Sequence, residues 1–183
     1  TASTNSDALA ELQDHTKPSK PLPRLHLTDL QTAGRGRQGN LWHSRRDALT
    51  FTVTRGFDFE RFETAPVSIA AGVAAARALD YVCAPARVAL KWPNDLCFRS
   101  QARGSLVELR KLGGILIESV SAEPSCVAIG IGVNVGNVPE LTDPAATQPS
   151  SLTQFAGRRV RRDELLMAIL ESIDEAFDSL PET

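Results

Sequence analysis

A chain of 183 residues with 42% hydrophobic and 23% charged side chains carries enough apolar material for one domain with a real core. Its 20 basic and 22 acidic residues nearly cancel, to a net charge of −2, which argues against nucleic-acid binding through the whole surface. No apolar run approaches the ~18 residues of a membrane span, and Cys83, Cys97 and Cys126 show no C-x-x-C and no histidine spacing, as expected of buried thiols in a reducing cytoplasm.

In chain order, Ser3-Thr4-Asn5-Ser6-Asp7 ahead of Ala8-Leu9-Ala10-Glu11-Leu12 predicts a capped helix. Ser3, Thr4 and Asn5 serve there as caps or, with hydroxyl and amide groups to spare, as holders of a polar ligand. Lys17 to Pro23 reads as a loop. Leu25 to Leu30 alternates apolar and polar, as a half-buried strand does, and Leu49, Phe51 and Val53 repeat the pattern. Thr64 caps a helix running to about Asp80, with Val67, Ala70, Val73, Ala74 and Ala78 as its apolar stripe and Pro66 in the first turn.

Arg87 to Lys91 is a strand that Pro93 stops. Ser100 to Arg110 is charged and without a clear period. Leu112-Gly113-Gly114 leads into a strand at Ile115–Val120. Cys126–Val133 is almost wholly apolar, which predicts a central strand buried on both faces. Val138 to Ser151 reads as a loop. Asp163 then caps a last helix with Leu166, Ile169, Leu170, Ile173, Phe177 and Leu180 on one face. Long helices and hairpin-capable strands in mixed order indicate α+β.

Between the first two strands lies Gln31-Thr-Ala-Gly34-Arg35-Gly36-Arg37-Gln-Gly39-Asn-Leu-Trp42. Arginine presents a planar fork of donors suited to carboxylate and phosphate, and glycine lets backbone approach a ligand closely. The run contains G-x-G-x-x-G, but a strand-like segment follows it instead of a helix, so it is no dinucleotide fingerprint. By itself the run fits an anion-binding loop, a solvated basic turn or an Arg-Gly nucleic-acid segment.

Five motifs in this order resemble the biotin protein ligases (biotin–[acetyl-CoA-carboxylase] ligases): Ser3-Thr4-Asn5, the Gln31–Trp42 run, Lys91-Trp-Pro-Asn-Asp95, Lys111-Leu-Gly-Gly114-Ile-Leu, and Gly130-Ile-Gly-Val-Asn134. The resemblance spans Ser3 to Asn134, with a helical continuation to Leu180. It implies a mixed, largely antiparallel sheet backed by helices, as in class II aminoacyl-tRNA synthetases. It implies a single catalytic domain over 1–183 without a helix-turn-helix before Ser3 and without the small C-terminal barrel of many members. The 99–110 segment is longer than the family pattern, and is a surface insertion or a lid.

The implied activity is ATP-dependent formation of biotinyl-5′-AMP, followed by transfer of biotin to a lysine of a biotin carboxyl carrier domain. By the same resemblance, Ser3, Thr4, Asn5 and Gln31 hold the biotin head group, and Gly34, Gly36, Gly114 and Gly130 line its site. Arg35 and Arg37 clamp carboxylate and phosphate oxygens, and Lys111 bridges carboxylate and α-phosphate. Lys91 meets phosphate, and Asp95 meets Mg²⁺ or the incoming lysine. Trp42 stacks on adenine and Asn134 bonds its edge. A homodimer through an exposed edge strand is compatible with the family; nucleic acid and membrane are not expected partners. A lipoate ligase would carry R-x-S-G-G-G, which this chain lacks, and a non-catalytic biotin sensor is the remaining rival. Ordering six residues, Gly34 to Gly39, costs roughly 6–12 kcal/mol, so the loop is expected to be mobile until an anion binds.

Overall fold

The computed structural model describes residues 1–14, 22–57, 64–84, 87–101, 107–120, 126–138, 147–156 and 158–179. Helix α1 (Thr4–Gln13) starts at Ser3, whose Oγ accepts the Ser6 N–H at 3.4 Å. Strand β1 (Arg24–Thr28) and the short strands β2 (Gly34–Arg35) and β3 (Leu41–Trp42) precede β4 (Leu49–Gly56). Helix α2 (Thr64–Cys83) leads to β5 (Val88–Lys91), β6 (Asp95–Gln101), β7 (Val107–Val120) and β8 (Cys126–Val133), and then to α3 (Leu152–Ala156) and α4 (Arg162–Asp178).

Six strands form one sheet in the order β1-β4-β8-β7-β6-β5, antiparallel at every ladder. With the helices this is the expected α+β architecture. The period of two in a strand sorts side chains to opposite faces. On one face Leu49, Phe51 and Val53 of β4 join Ile129, Ile131 and Val133 of β8, Ile115 of β7, and Leu96 and Phe98 of β6 in a single core cluster. Helix α2 adds Val67, Ala71, Ala74, Ala75, Ala78, Leu79 and Val82, and α4 adds Leu165, Ile169 and Ile173. Phe155 of α3 stacks on Phe98 with ring centroids 4.0 Å apart. Arg55 ties α4 to β4, pairing with Asp174 and Asp178 while its guanidinium lies over the Phe177 ring. The opposite face of β4 and β8 carries Thr50, Thr52, Thr54, Gly130 and Gly132, and α1 covers part of it.

Several local expectations are corrected. Strand β1 lies inside out: Leu25 and Leu27 are exposed, whereas Arg24 and His26 turn toward Glu11 at 3.4 and 3.3 Å. An edge strand whose inward neighbour is a carboxylate-bearing helix satisfies its charges before its leucines. In α2, Val67, Ala74 and Ala78 are buried as expected, but Val73 is exposed and Ala71 and Ala75 join the buried stripe. Asp163 is not the cap of α4; it lies in the first turn, paired with Arg161, which is itself the N-cap residue without a capping side-chain bond. Leu165 joins Ile169 and Ile173 as the buried seam of that helix, and Leu180 lies outside the described residues.

In the aperiodic 100–110 stretch Ser100 pairs with Glu108 and Gln101 with Val107, so β6 and β7 extend into it; residues 102–106 lie outside the described residues. Lys111-Leu-Gly-Gly therefore lies inside β7 rather than ahead of it.

Candidate active site

The polar face of the sheet opens into a cleft of about 250 Å³. Its walls come from the start of α1 (Ser3, Thr4, Asn5), from Gln31, from the glycine loop (Arg35, Gly36, Arg37, Trp42), from Asn94 and Asp95, and from Lys111, Gly114 and Gly130 of the central strands. Segments that are remote in sequence thus converge on one cavity.

The α1 end is fully wired. Ser3, Thr4 and Asn5 are each 3% exposed. Gln31 Oε1 accepts from the Thr4 N–H at 2.7 Å, with the Thr4 hydroxyl at 3.0 Å. Thr52 Oγ1 donates its one proton to Asn5 Oδ1 at 2.5 Å and lies 2.8 Å from Thr4 Oγ1, so Thr4 gives its own proton to Thr52 or to Gln31. Asn5 Nδ2 donates to Glu118 Oε2 at 2.9 Å and to the Leu116 carbonyl at 3.3 Å. Gly130 faces Asn5 so closely that a Cβ there would collide with the amide oxygen. Ser3 caps the helix and also lines the cleft, so in this region capping and pocket lining coincide.

Across the cleft, β2 and β3 form a two-stranded ribbon with Gly34 opposite Trp42. The chain reverses at Gln38 and Gly39, with φ of 55° and 78°. The Trp42 indole lies on Gly132, where any side chain would displace it, and its Nε1 is buried without a partner. Arg35 Nη2 donates to Glu118 Oε2 at 2.6 Å. Arg37 is exposed, and its guanidinium has no protein partner among the described residues.

Lys111 extends from β7 and pairs with Asp95 Oδ1 at 2.6 Å. A bulge between Leu96 and Cys97 changes the register there, so Leu112 is the extra residue between Lys111 and Gly113. Strand β8 ends at Val133 opposite Gly113, which leaves the Lys111 backbone without a ladder partner on that side. The 147–151 segment fills the gap as a strap: Lys111 N donates to the Gln148 carbonyl at 2.8 Å, and Ser150 N donates to the Lys111 carbonyl at 2.7 Å. Asn134 holds the strap, its Nδ2 donating to the Ser150 carbonyl at 3.1 Å. Cys97, next to Asp95 and opposite Lys111, is fully buried; burial, and then the Asp95 charge, push its thiol up to about 11. It stays protonated and inert at neutral pH.

Three sequence-derived candidates do not line the cleft. Lys91 is exposed and bonds Thr147 Oγ1 at 2.8 Å. Gly34 is buried behind Gln31 and Trp42. Asn134 is 2% exposed under the strap, and its Oδ1 is buried without a partner. Two residues that the motifs did not mark take part in the site. Thr52 could have been found from the Thr50, Thr52, Thr54 alternation, and Glu118 from being the one charge in the 115–120 half of β7. Among the described residues no group of three or more His, Cys, Asp or Glu could form a metal cage, and no helix is long and apolar enough to cross a membrane.

A pocket of neutral donors and acceptors, continuous with a bay holding Arg37 and Lys111, suits a small molecule with a polar ring at one end and an anion at the other. The model of the biotin/lipoate A/B protein ligase family matches residues 1–134. The biotin–[acetyl-CoA-carboxylase] ligase of Paracoccus denitrificans is 34% identical over 171 residues, covering 91% of this chain and 65% of the relative. The ligase of the same name from Mycobacterium tuberculosis is 35% identical over 176 residues, covering 94% and 60%. The chain therefore spans less than two thirds of the length of these curated relatives.

Among solved structures, the biotin protein ligase of Aquifex aeolicus in complex with biotin and ATP superposes with a TM-score of 0.68 at 27% identity, over 84% of this chain and 60% of that one. The Leishmania major enzyme in complex with biotinyl-5-AMP gives 0.72 at 26%, over 97% and 72%.

Proposed function

Because the chain belongs to the biotin/lipoate A/B protein ligase family, we propose that it joins biotin to AMP with ATP and then passes biotin to a lysine of a biotin carboxyl carrier domain. The observation that carries this reading is the single cleft that unites the wired Ser3–Thr4–Asn5–Gln31 pocket with Arg37 and Lys111.

The ureido ring of biotin presents one carbonyl acceptor and two N–H donors. The Gln31 amide nitrogen, which has no protein partner among the described residues, and the hydroxyls of Ser3 and Thr4 match that pattern. Gly36, Gly114 and Gly130 keep the walls slim, and Gly34 supports Gln31 from behind. In the first half-reaction a carboxylate oxygen of biotin forms a bond to the α-phosphorus while the bond to pyrophosphate breaks. Anions are brought together in that step, so cations placed in advance lower the barrier. Arg37 and Lys111 supply them, whereas Lys91 is bonded to Thr147 and Arg35 to Glu118.

Trp42 offers an aromatic face to adenine. Asn134 is 2% exposed beneath the 147–151 strap and serves the site by holding that strap through its Nδ2 bond to the Ser150 carbonyl. Mg²⁺ arriving on the nucleotide needs one or two protein carboxylates beside the phosphates. Asp95, the one carboxylate among the cleft-lining residues, fits that need.

In the second half-reaction the amine of the carrier lysine bonds to the carbonyl carbon of the anhydride and AMP leaves. Asp95, once released from Lys111, receives the amine proton. The reaction draws on ATP, and three free, buried thiols suit the cytoplasm. A homodimer through the exposed edge β1 belongs to the same proposal. The test is to incubate the protein with ATP, Mg²⁺ and either biotin or lipoate, detect acyl-adenylate, and then add an apo-carrier domain. Biotinyl-adenylate followed by transfer is expected; adenylate from lipoate alone, or none from either acid, would overturn the reading.

A further inference from the structure

We propose that Glu118 holds Arg35 as a fixed wall of the biotin pocket, which leaves Arg37 and Lys111 as the cations that meet the ligand's anions; this inference rests on the function proposed above.

The geometry is a relay across four segments. Thr52 of β4 donates to Asn5 of α1, Asn5 Nδ2 donates to Glu118 Oε2 on β7 at 2.9 Å, and the same oxygen receives Arg35 Nη2 from β2 at 2.6 Å. Glu118 is therefore held in place from the sheet side, independently of Arg35. Its own backbone sits in the β7–β8 ladder opposite Ala128, in the rigid centre of the sheet. An internal carboxylate already occupies Arg35, so the loop has a partner before any ligand arrives. This offsets part of the ordering penalty that the glycines impose.

Charge balance within the cleft separates the two arginines. Arg35 is matched by Glu118 and Lys111 by Asp95, each at 2.6 Å, while Arg37 is matched by nothing among the described residues. An incoming carboxylate finds uncompensated charge at Arg37, and reaches Lys111 when that ammonium exchanges Asp95 for the ligand. Arg35 would have to abandon a charge-assisted bond to do the same. It is a positioning residue: it closes the pocket beside Asn5 and anchors the loop that carries Arg37.

The test uses the whole chain with Glu118→Gln, Arg35→Gln and the double variant. Glutamine at 118 retains an oxygen for Asn5 but removes the charge from Arg35. In ligand-free protein, amide hydrogen exchange across Gly34–Gly39 should rise in both single variants, and the double variant should match either single instead of their sum. Biotin Kd should rise about tenfold, the loss of one charge-assisted bond, while KM for ATP stays within about twofold of wild type. A circular-dichroism melt identifies any variant that has lost its fold, and Glu118→Asp then replaces it.

Unchanged loop exchange in Glu118→Gln would overturn the inference. So would a silent Glu118→Gln beside an Arg35→Gln that raises KM for ATP. If the wild-type chain makes no biotinyl-adenylate, the functional reading fails, and the exchange measurement still decides whether Glu118 holds the loop.

Discussion

Replacing Gly130 with alanine isolates the contact on which the pocket floor depends. An added Cβ would lie 2.8 Å from Asn5 Cγ and in collision with Asn5 Oδ1. Ordinary contact begins near 3.4 Å, so the amide oxygen must retreat by more than an ångström or rotate away. Its bonds to Thr52 at 2.5 Å and to Glu118 at 2.9 Å cannot both survive that movement.

Overpacking of this kind costs about 1–3 kcal/mol. The lost bonds add about 1 kcal/mol each, discounted because the cleft is open and water can replace them. A net destabilisation of roughly 1–3 kcal/mol would lower Tm by about 2–12 °C for a chain of this size. The core face of β8 is untouched, so the fold should persist. Biotin affinity, measured calorimetrically, should fall by at least about tenfold, because the displaced amide intrudes on the head-group wall. KM for ATP should change little. A Gly130→Ala protein with wild-type Tm and wild-type biotin Kd would refute the reasoning, because it would mean that Asn5 is not pressed against β8.

Three further outcomes are expected. Lys111→Ala should reduce biotinyl-adenylate formation by about 10²–10³-fold, the usual effect of removing one preorganised charge from a transition state; a single-turnover assay that found near-native rates would remove Lys111 from the chemistry. Cys83 and Cys97, both pushed up to about 11 by burial, should resist iodoacetamide at pH 8, as read by intact mass. The unfolded chain, with thiols near 9, binds fewer protons than the folded one between pH 9 and 11, so stability should fall as pH rises through that window.

Much of this architecture is legible in the sequence because local pattern and tertiary environment agree. Leu49, Phe51 and Val53 alternate because one face of β4 meets the core, and Cys126–Val133 is apolar throughout because both faces of β8 are covered. The five motifs mark most of the cleft because glycines and paired polar groups have few other uses at strand ends.

The misread elements are those in which a neighbour decides. Leu25 and Leu27 turn outward because Glu11, on another element, attracts Arg24 and His26. The 100–110 stretch gives no period, although its residues 100–101 and 107–110 belong to the paired ends of β6 and β7. Asn134 has the spacing of a ligand-binding residue, yet half of its amide is spent on Ser150, a bond that no local reading could supply. Glu118 carries no motif because its value lies in what it restrains.

The strap beside Lys111 has a consequence for how much of the chain an active unit requires. The recognisable signatures all end by Asn134, whereas the segment that completes the ladder beside Lys111 makes its bonds at Gln148 and Ser150. A fragment cut between them would keep every diagnostic residue and still leave the amide and carbonyl of that lysine open to solvent. Possession of the signatures and closure of the backbone around Lys111 are therefore separable properties of this polypeptide, and the second is supplied by Gln148–Ser150.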